Sequence, residues 1–383
     1  MPSTKWFNYE PTEYKSTIWF GVGYLKAVVL AGGFGTRLRP LSCTRPKILF
    51  PVLNKPLLQW TFERLAKNNI KDVILAVFYQ TEVHIKQHRI PRSGLHVKYS
   101  HDPLTKPLGT AGSIKNAQKK IGSNSSFLVL NGDIFADVNY SEIMKQHEEK
   151  GCLATIALHQ VSNPTRYGVA TLSKDNRITG FIEKPLAGKA PSNLINAGVY
   201  VLDPKVFKYI PEGRAVSIER EVFPKLAEEN ELFGYVHNGL WMDIGKPEDY
   251  MELNKILLRQ NGARTTYRSN GNVSIKKPVA LGKDVSIGKG SIIGPYAILG
   301  SKVTVGKNVC IRNSIVFSAT SISDSTVADG AIIGEGVYIG KEAQIKKGSI
   351  VGDHARIKDR ITLSAKSHIC PANEVVENAS TSD

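Results

Sequence analysis

The chain has 383 residues, 42% hydrophobic and 22% charged, an ordinary globular composition with room for two domains that each have a core. The net charge of +16 is uneven: residues 1–271 hold 36 Lys+Arg against 24 Asp+Glu, and residues 272–383 hold 14 against 10. A basic first part suits small polyanions, whereas nucleic acid is not expected, because no run of five basic residues and no basic stripe interleaved with aromatics occurs.

Residues 1–24 precede the expected start of the first domain and read as an N-terminal extension. The mostly apolar stretch from Ser16 to Gly35 is interrupted by Lys26 and by glycines, so no membrane span is expected there. Lys26–Ala31 instead reads as a buried parallel strand. Further strands are expected at Asp72–Val77, His96–Ser100 and Phe127–Asn131. Pro56, at a first helical turn, leads into Leu58, Phe62 and Leu65, a core-facing helical spacing. Strand-helix alternation argues a doubly wound α/β sheet, with ligands at the carboxyl ends of strands. From Leu153 the texture changes to a strand, Leu153–Val161, and then a hairpin of Tyr167–Leu172 and Arg177–Glu183. Ser217 is expected to cap a helix whose first turn carries Glu219 and Glu221.

After residue 272 a six-residue period appears. Leu281, Ile287, Ile293, Leu299, Val305, Ile311 and Phe317 recur at that spacing, and so do Val327, Ile333, Ile339, Ile345, Val351, Ile357 and Leu363. This pattern marks a parallel β-helix. The ten-residue gap between Phe317 and Val327 predicts a distorted corner. No period is read beyond Lys366, and residues 373–383 are expected to be polar and disordered. The four cysteines, Cys43, Cys152, Cys310 and Cys370, are scattered. They make neither a zinc site nor a disulfide framework and read as reduced thiols of a cytoplasmic protein.

The chemistry is concentrated after the first strand, in Leu30-Ala-Gly-Gly-Phe-Gly-Thr-Arg37. Gly32, Gly33 and Gly35 let the backbone turn sharply and approach a ligand. Bare amides there form a concave anion site, and Arg37 and Lys47 add fixed positive charge. The loop is not a P-loop, since Thr36-Arg37 stands where Lys-Ser/Thr would follow the last glycine. It also lacks the third glycine of the dinucleotide fingerprint. The pattern Gly-Gly-x-Gly-Thr-Arg-Leu-x-Pro-Leu, followed by Arg45-Pro-Lys47, resembles the signature of the sugar-phosphate nucleotidyltransferases, or nucleoside-diphosphate-sugar pyrophosphorylases.

The resemblance implies an α/β, Rossmann-like nucleotidyltransferase domain with a mixed, mostly parallel sheet over residues 25–262. A left-handed parallel β-helix over 263–367 and a polar tail over 368–383 would follow. It implies attack of a sugar-1-phosphate on the α-phosphate of a nucleoside triphosphate, with pyrophosphate leaving. By resemblance, Arg37 and Lys47 are catalytic, and Leu30, Ala31, Gly32, Gly33, Gly35, Thr36, Gly109 and Thr110 bind the nucleotide. Asp133 and Asp243 share one Mg2+, while Gly168, Glu183, Lys184 and Asn196 bind the sugar phosphate. The segment from Ile195 to Tyr250 looks most like mannose-1-phosphate guanylyltransferases, which implies GTP and mannose-1-phosphate as partners. One departure is Gly132, where those enzymes often have Ser, so glucose-1-phosphate with UTP, dTTP or ATP stays open. A non-catalytic relative and a β-helix acyltransferase are rival classes. The first usually loses part of the set Arg37, Lys47, Asp133, Lys184 and Asp243, all present here. The second needs a histidine base, and the domain holds only His354 and His368. The open ends of a β-helix need cover, so a homo-oligomer through that domain is expected.

Overall fold

The computed structural model describes residues 25–33, 35–123, 125–260 and 272–378. The expected extension, residues 1–24, lies outside the described residues. The apolar run Ala27–Leu30 makes the first strand, β1 (Lys26–Leu30). A short hairpin of β2 (Pro51–Val52) and β3 (Lys55–Pro56) leads into α1 (Leu57–Lys67). Then come β4 (Asp72–Val77), α2 (Tyr79–Gln87), β5 (His96–His101), α3 (Gly109–Asn116) and α4 (Gln118–Ile121). The chain continues through β6 (Phe127–Asn131), β7 (Ile134–Ala136), α5 (Tyr140–Lys150), β8 (Ala154–Gln160), β9 (Gly168–Leu172), β10 (Ile178–Glu183) and β11 (Leu194–Leu202). It closes with α6 (Phe223–Glu228), β12 (Leu232–His237), β13 (Trp241–Asp243) and α7 (Pro247–Gln260).

The main sheet runs β10-β9-β11-β6-β1-β4-β5, and β8 pairs with both β11 and β12. Strands β6, β1, β4 and β5 are parallel, and β11 is antiparallel to β6. From β1 the chain pairs first with β4 on one side and later with β6 on the other. That reversal leaves a crevice beyond the carboxyl end of β1, where open α/β sheets bind ligands. Alternation along β1 fills both sides of the sheet. Ala27 and Val29 pack in one core with Phe62, Leu65 and Ile143, and Val28 packs in the other with Ile114, Phe223 and Leu226. The helix expected after Ser217 begins as a π turn, Ile218–Val222, and Ser217 Oγ accepts from the Arg220 amide.

Beyond residue 272, three six-stranded parallel sheets form the walls of a left-handed β-helix. Its inner residues include Ile293, Leu299, Val305, Ile311, Val316, Ile322, Ala328, Ile333 and Ile339. Two expectations are corrected here. Phe317 and Val327 are not inner anchors; Val316 and Ala328 take those places. The ten-residue gap is not one distorted corner: Val316, Ile322 and Ala328 keep the six-residue step, and a contraction lies on either side of them. Ile311 to Val316 and Ala328 to Ile333 are five-residue steps, so Ile298 pairs with Ile315, and Ile315 with Ile332, at 17 residues instead of 18. With one turn residue fewer, the inner place falls on Val316, and because side chains alternate between faces, Phe317 points outward. The helix also runs past residue 367. His368–Ile369 and Glu374–Val375 pair with the coil before, and Ile369 and Val375 keep the six-residue spacing from Leu363. The tail read over 368–383 is therefore rung as far as Val375; Cys370-Pro371 at the turn, in place of a glycine, hid the period.

The outward face of one wall presents Ile298, Ile315, Phe317, Ile332 and Ile350. They share a buried cluster with Phe50, Val52 and Leu57, and with Tyr250, Leu253 and Leu257 of α7. Phe317 meets Phe50 edge to face at 6.4 Å, and Asn54 Nδ2 donates to the Leu299 carbonyl at 2.8 Å. The two domains thus join through a common core.

Candidate active site

The carboxyl end of β1 opens into a cavity of about 490 Å³. Leu30, Ala31, Gly32, Gly33, Gly35, Thr36, Arg37, Lys47, Gly109, Thr110 and Asp133 are all in its wall. Gly35 has φ +59, and a Cβ there would lie 3.3 Å from Lys47 Cγ. Glycine therefore supplies the left-handed turn and lets the Lys47 stem pass. The lysine is only 6% exposed, and its Nζ donates to Asp133 Oδ2 at 2.7 Å and lies 3.7 Å from Asp243 Oδ1.

The two aspartates reach each other through strand pairing. Asp133 follows β6, where the Gly132 amide donates to the Leu30 carbonyl. A Cβ on residue 132 would stand 2.8 Å from that oxygen, so this backbone has no room for serine as it is placed. Asp243 ends β13, which pairs antiparallel with β7 in the register Asp243 to Ile134. Asp243 Oδ1 is buried and accepts no hydrogen bond. Burial raises the affinity of Asp243 for a proton, and the Asp133 carboxylate beside it adds to the effect; Lys47 and Arg37 oppose it. Two carboxylates pressed together, one with an idle buried oxygen, fit a hard divalent cation. Among the described residues no group of three or more acidic, histidine or cysteine side chains could hold a metal.

Gly109 and Thr110, also in the lining, open α3. Val216 holds this turn: its amide donates to the Leu108 carbonyl, and its carbonyl accepts from Ala111. Thr110 Oγ1 donates to Glu219 Oε2 at 2.7 Å and accepts from the Ile218 amide. The sequence reading missed Asp102, at the end of β5. This buried carboxylate lines the cavity, with Ser113 Oγ and Asn116 Nδ2 donating to it. Burial pushes its pKa up. Its signal was positional: it follows a parallel strand at the ligand end of the sheet.

The four residues expected on the sugar side do not line this cavity; they adjoin it. A Cβ on Gly168 would lie 2.8 Å from Glu183 Oε2, so the carboxylate covers that backbone. Burial raises the Glu183 pKa, and exposed Lys184 lies 3.3 Å from it. Asn196 Oδ1 accepts from the Gly198 amide, and Asn196 Nδ2 donates to the buried Tyr200 hydroxyl at 2.9 Å. Asn131 connects the two regions. It lines the cavity, its Nδ2 donates to Tyr200 at 3.4 Å, and its Oδ1 is buried without a partner. The sequence reading quoted Asn131 beside Asp133 but gave it no role.

Comparison with known proteins identifies this arrangement. Residues 26–260 match the nucleotidyl transferase family model, and residues 275–383 match the GMPPB C-terminal domain. The chain belongs to the nucleotidyl transferase family. It is 41% identical over 230 residues to a probable mannose-1-phosphate guanylyltransferase 1 of Oryza sativa, covering 59% of this chain and 63% of that protein. Identity to the mannose-1-phosphate guanylyltransferase catalytic subunit beta of Danio rerio is 41% over 229 residues, with the same 59% and 63% coverage. The chain thus spans under two thirds of the length of these two relatives. With the mannose-1-phosphate guanyltransferase of Aspergillus oryzae the identity is 36% over 272 residues, 67% of this chain and 73% of that one. A putative glucose-1-phosphate thymidylyltransferase from Bacillus anthracis shares the fold, with TM-score 0.55 and 22% identity over 64% of this chain and 98% of the other.

Proposed function

We propose that the chain is a sugar-1-phosphate nucleotidyltransferase that joins GTP and mannose-1-phosphate into GDP-mannose and pyrophosphate. The observation that carries this reading is Lys47, held between Asp133 and Asp243 at the base of a glycine-lined cavity. The names of the relatives support the choice of base and hexose.

In the reaction, a phosphate oxygen of mannose-1-phosphate forms a bond to the α-phosphorus of GTP. The bond from that phosphorus to the bridging oxygen breaks, and pyrophosphate leaves with the electron pair. No protein nucleophile is needed, so positioning and positive charge carry the catalysis. The glycine-loop amides and Arg37 would hold the triphosphate. Lys47 would follow the charge on the α-phosphate oxygens, and Glu183, Lys184 and Asn196 would orient the sugar phosphate beside Gly168. Asp133 and Asp243 are the residues to hold a divalent cation such as Mg2+, which would neutralise charge developing on the phosphates.

Lys47→Ala should lower kcat by roughly 10² to 10³, the range for losing one preorganised electrostatic contact. Because Lys47 also separates two carboxylates, Lys47→Met is the control for packing, and steady-state pyrophosphate release is the measurement. Near-normal turnover in both variants would remove Lys47 from the mechanism.

Asp102 supports guanine over the other bases. A carboxylate accepts from the N1–H and N2–H of guanine, and a hydrogen bond to a charged group contributes about 1.5–3 kcal/mol. Asp102→Asn should therefore cost GTP roughly tenfold to a hundredfold in kcat/KM and cost ATP far less. The test is a panel of GTP, ATP, UTP and dTTP against mannose-1-phosphate and glucose-1-phosphate. GTP with mannose-1-phosphate should be fastest. Pyrophosphate release from no pair would overturn the reading and favour a non-catalytic relative.

Assembly and location belong to the same proposal. A homo-oligomer would have to use the ends or the other walls of the β-helix, since one wall faces the catalytic domain. All four cysteines are free, in keeping with a cytoplasmic site of action. Among the described residues no helix is long and apolar enough to cross a membrane.

A further inference from the structure

Two residues just ahead of Lys47 reach out of the catalytic domain. Arg45 Nη2 donates to Asp353 Oδ2 at 2.7 Å and to Glu335 Oε2 at 2.8 Å, and Thr44 Oγ1 donates to the same Asp353 oxygen at 2.6 Å. Both acids belong to turns of the β-helix. Arg45 is 8% exposed and Asp353 3%, whereas Glu335 is 39% exposed, so the Arg45–Asp353 pair is the buried one.

We propose that the β-helix is a positioning element for catalysis, in which Asp353 clamps Thr44 and Arg45 and so sets the place of the Lys47 ammonium. The inference rests on the assignment of the glycine-lined cavity to phosphate chemistry.

Three observations carry it. Asp353 has a job that its counterparts lack. Asp324, Asp353 and Asp359 each accept, through Oδ1, a backbone amide of the coil before: those of Lys307, Glu335 and Lys341. That bond is the structural role of the position. Of the three, Asp353 alone turns its second oxygen to the catalytic domain.

The segment bearing Lys47 is also held on both sides by the β-helix. Upstream, the Arg45 guanidinium lies 5.1 Å over the Phe317 ring. Downstream, Phe50 packs on the same ring at 6.4 Å. Between them Pro46 fixes one dihedral, and the turn Lys47–Leu49 is closed by Leu49 N to Pro46 O and Phe50 N to Lys47 O. Little slack remains in the backbone.

Finally, the two faces of this segment point apart. Arg45 and Phe50 meet the β-helix, while Lys47 meets Asp133 and Asp243. A shift of the first contact is transmitted to the second. Displacement of a catalytic group by about 1 Å costs on the order of a hundredfold in rate.

The test compares the full chain with Asp353→Asn, which keeps the size of the side chain and removes its charge, and with Arg45→Met and Arg45→Lys. Turnover is expressed per folded site, counted by nucleotide-binding stoichiometry. Asp353→Asn should lower kcat about tenfold to a hundredfold, with KM for both substrates within about threefold. Arg45→Lys should recover part of what Arg45→Met loses, and it serves as the comparison if Asp353→Asn does not fold. A contact that only supports the fold would lower the folded fraction and leave kcat per folded site unchanged; that result overturns the proposal. Hydrogen exchange gives a readout that needs no turnover. Peptides covering residues 44–52 should exchange about tenfold faster in Asp353→Asn, from loss of local protection, and unchanged exchange overturns the proposal as well. If the unaltered chain releases no pyrophosphate with any substrate pair, the assignment of the cavity fails, and the exchange experiment alone decides the clamp.

Discussion

Asp243→Asn should abolish magnesium-dependent pyrophosphate release, Asp133→Asn should do the same, and the double variant should be little worse than either. The two side chains lie on segments more than a hundred residues apart, brought together by the pairing of β13 with β7. Lys47 bridges them, and Asp243 holds a buried oxygen with no hydrogen-bond partner. Burial and the neighbouring Asp133 carboxylate raise the cost of ionising Asp243, a strain that a shared divalent cation relieves. An amide supplies no charge, so either substitution should weaken the cation and leave Lys47 with one fewer counter-charge. A cation stabilising charge in a phosphoryl transition state contributes several kcal/mol, or on the order of 10³ in rate. Groups that act as one unit are strongly non-additive, hence the small further loss in the double variant. The measurement is initial rate against magnesium concentration for the three variants. Two independent, multiplying losses would separate the aspartates, and full activity after chelation would exclude the cation.

The second large effect is on stability. A chain truncated near residue 262 should be poorly folded and nearly inactive. Sequence reasoning alone leads one to expect measurable chemistry with some loss of stability, because every phosphate, metal and sugar residue named lies before residue 250 and only the helix around Tyr250–Leu258 would meet the first coil. The shared core changes that balance. Phe50, Leu57, Tyr250, Leu253 and Leu257 belong to one buried cluster with Ile298, Ile315, Phe317, Ile332 and Ile350. Burying one such side chain contributes about 1.5–3 kcal/mol, so uncovering even three costs roughly 5–9 kcal/mol. That compares with the whole stability of a domain, about 5–15 kcal/mol. The clamp on Arg45 is lost at the same time. Thermal unfolding and light scattering of the truncated chain give the check. A cooperative transition within a few degrees of the full chain, with activity retained, would show that the catalytic domain is self-sufficient.

Much of this was legible in the residues. The apolar runs at β1, β4 and β6 and the glycine loop after β1 carry strong local signals, since a buried parallel strand and a sharp turn each restrict composition. The six-residue repeat was equally plain except where it contracts. There Phe317 and Val327 satisfied the arithmetic while Val316 and Ala328 satisfied the packing. No pattern in sequence distinguishes an apolar residue pointing into a β-helix from one pointing at a neighbouring domain. Asp102 and Asn131 were missed for a related reason: each is an ordinary turn residue until the sheet brings it to the cavity. The contact of Arg45 with Asp353, over three hundred residues apart, had no local signal at all. The arginine reads as part of a phosphate loop, and only tertiary placement shows it facing away.

The two contracted coils also bear on any attempt to regularise this chain. A designer correcting the repeat would insert one residue after Arg312 and another after Asp329, giving every coil 18 residues. On paper the β-helix would improve. In space Val316 would keep its inward place and Phe317 its outward one, but the added residues would fall in the turns just ahead of Ile315 and Ile332, at the edge of the wall that packs on the catalytic domain. The irregularity is where the repeat stops serving itself and starts serving its neighbour, and an idealised version would be a better solenoid attached to a worse partner.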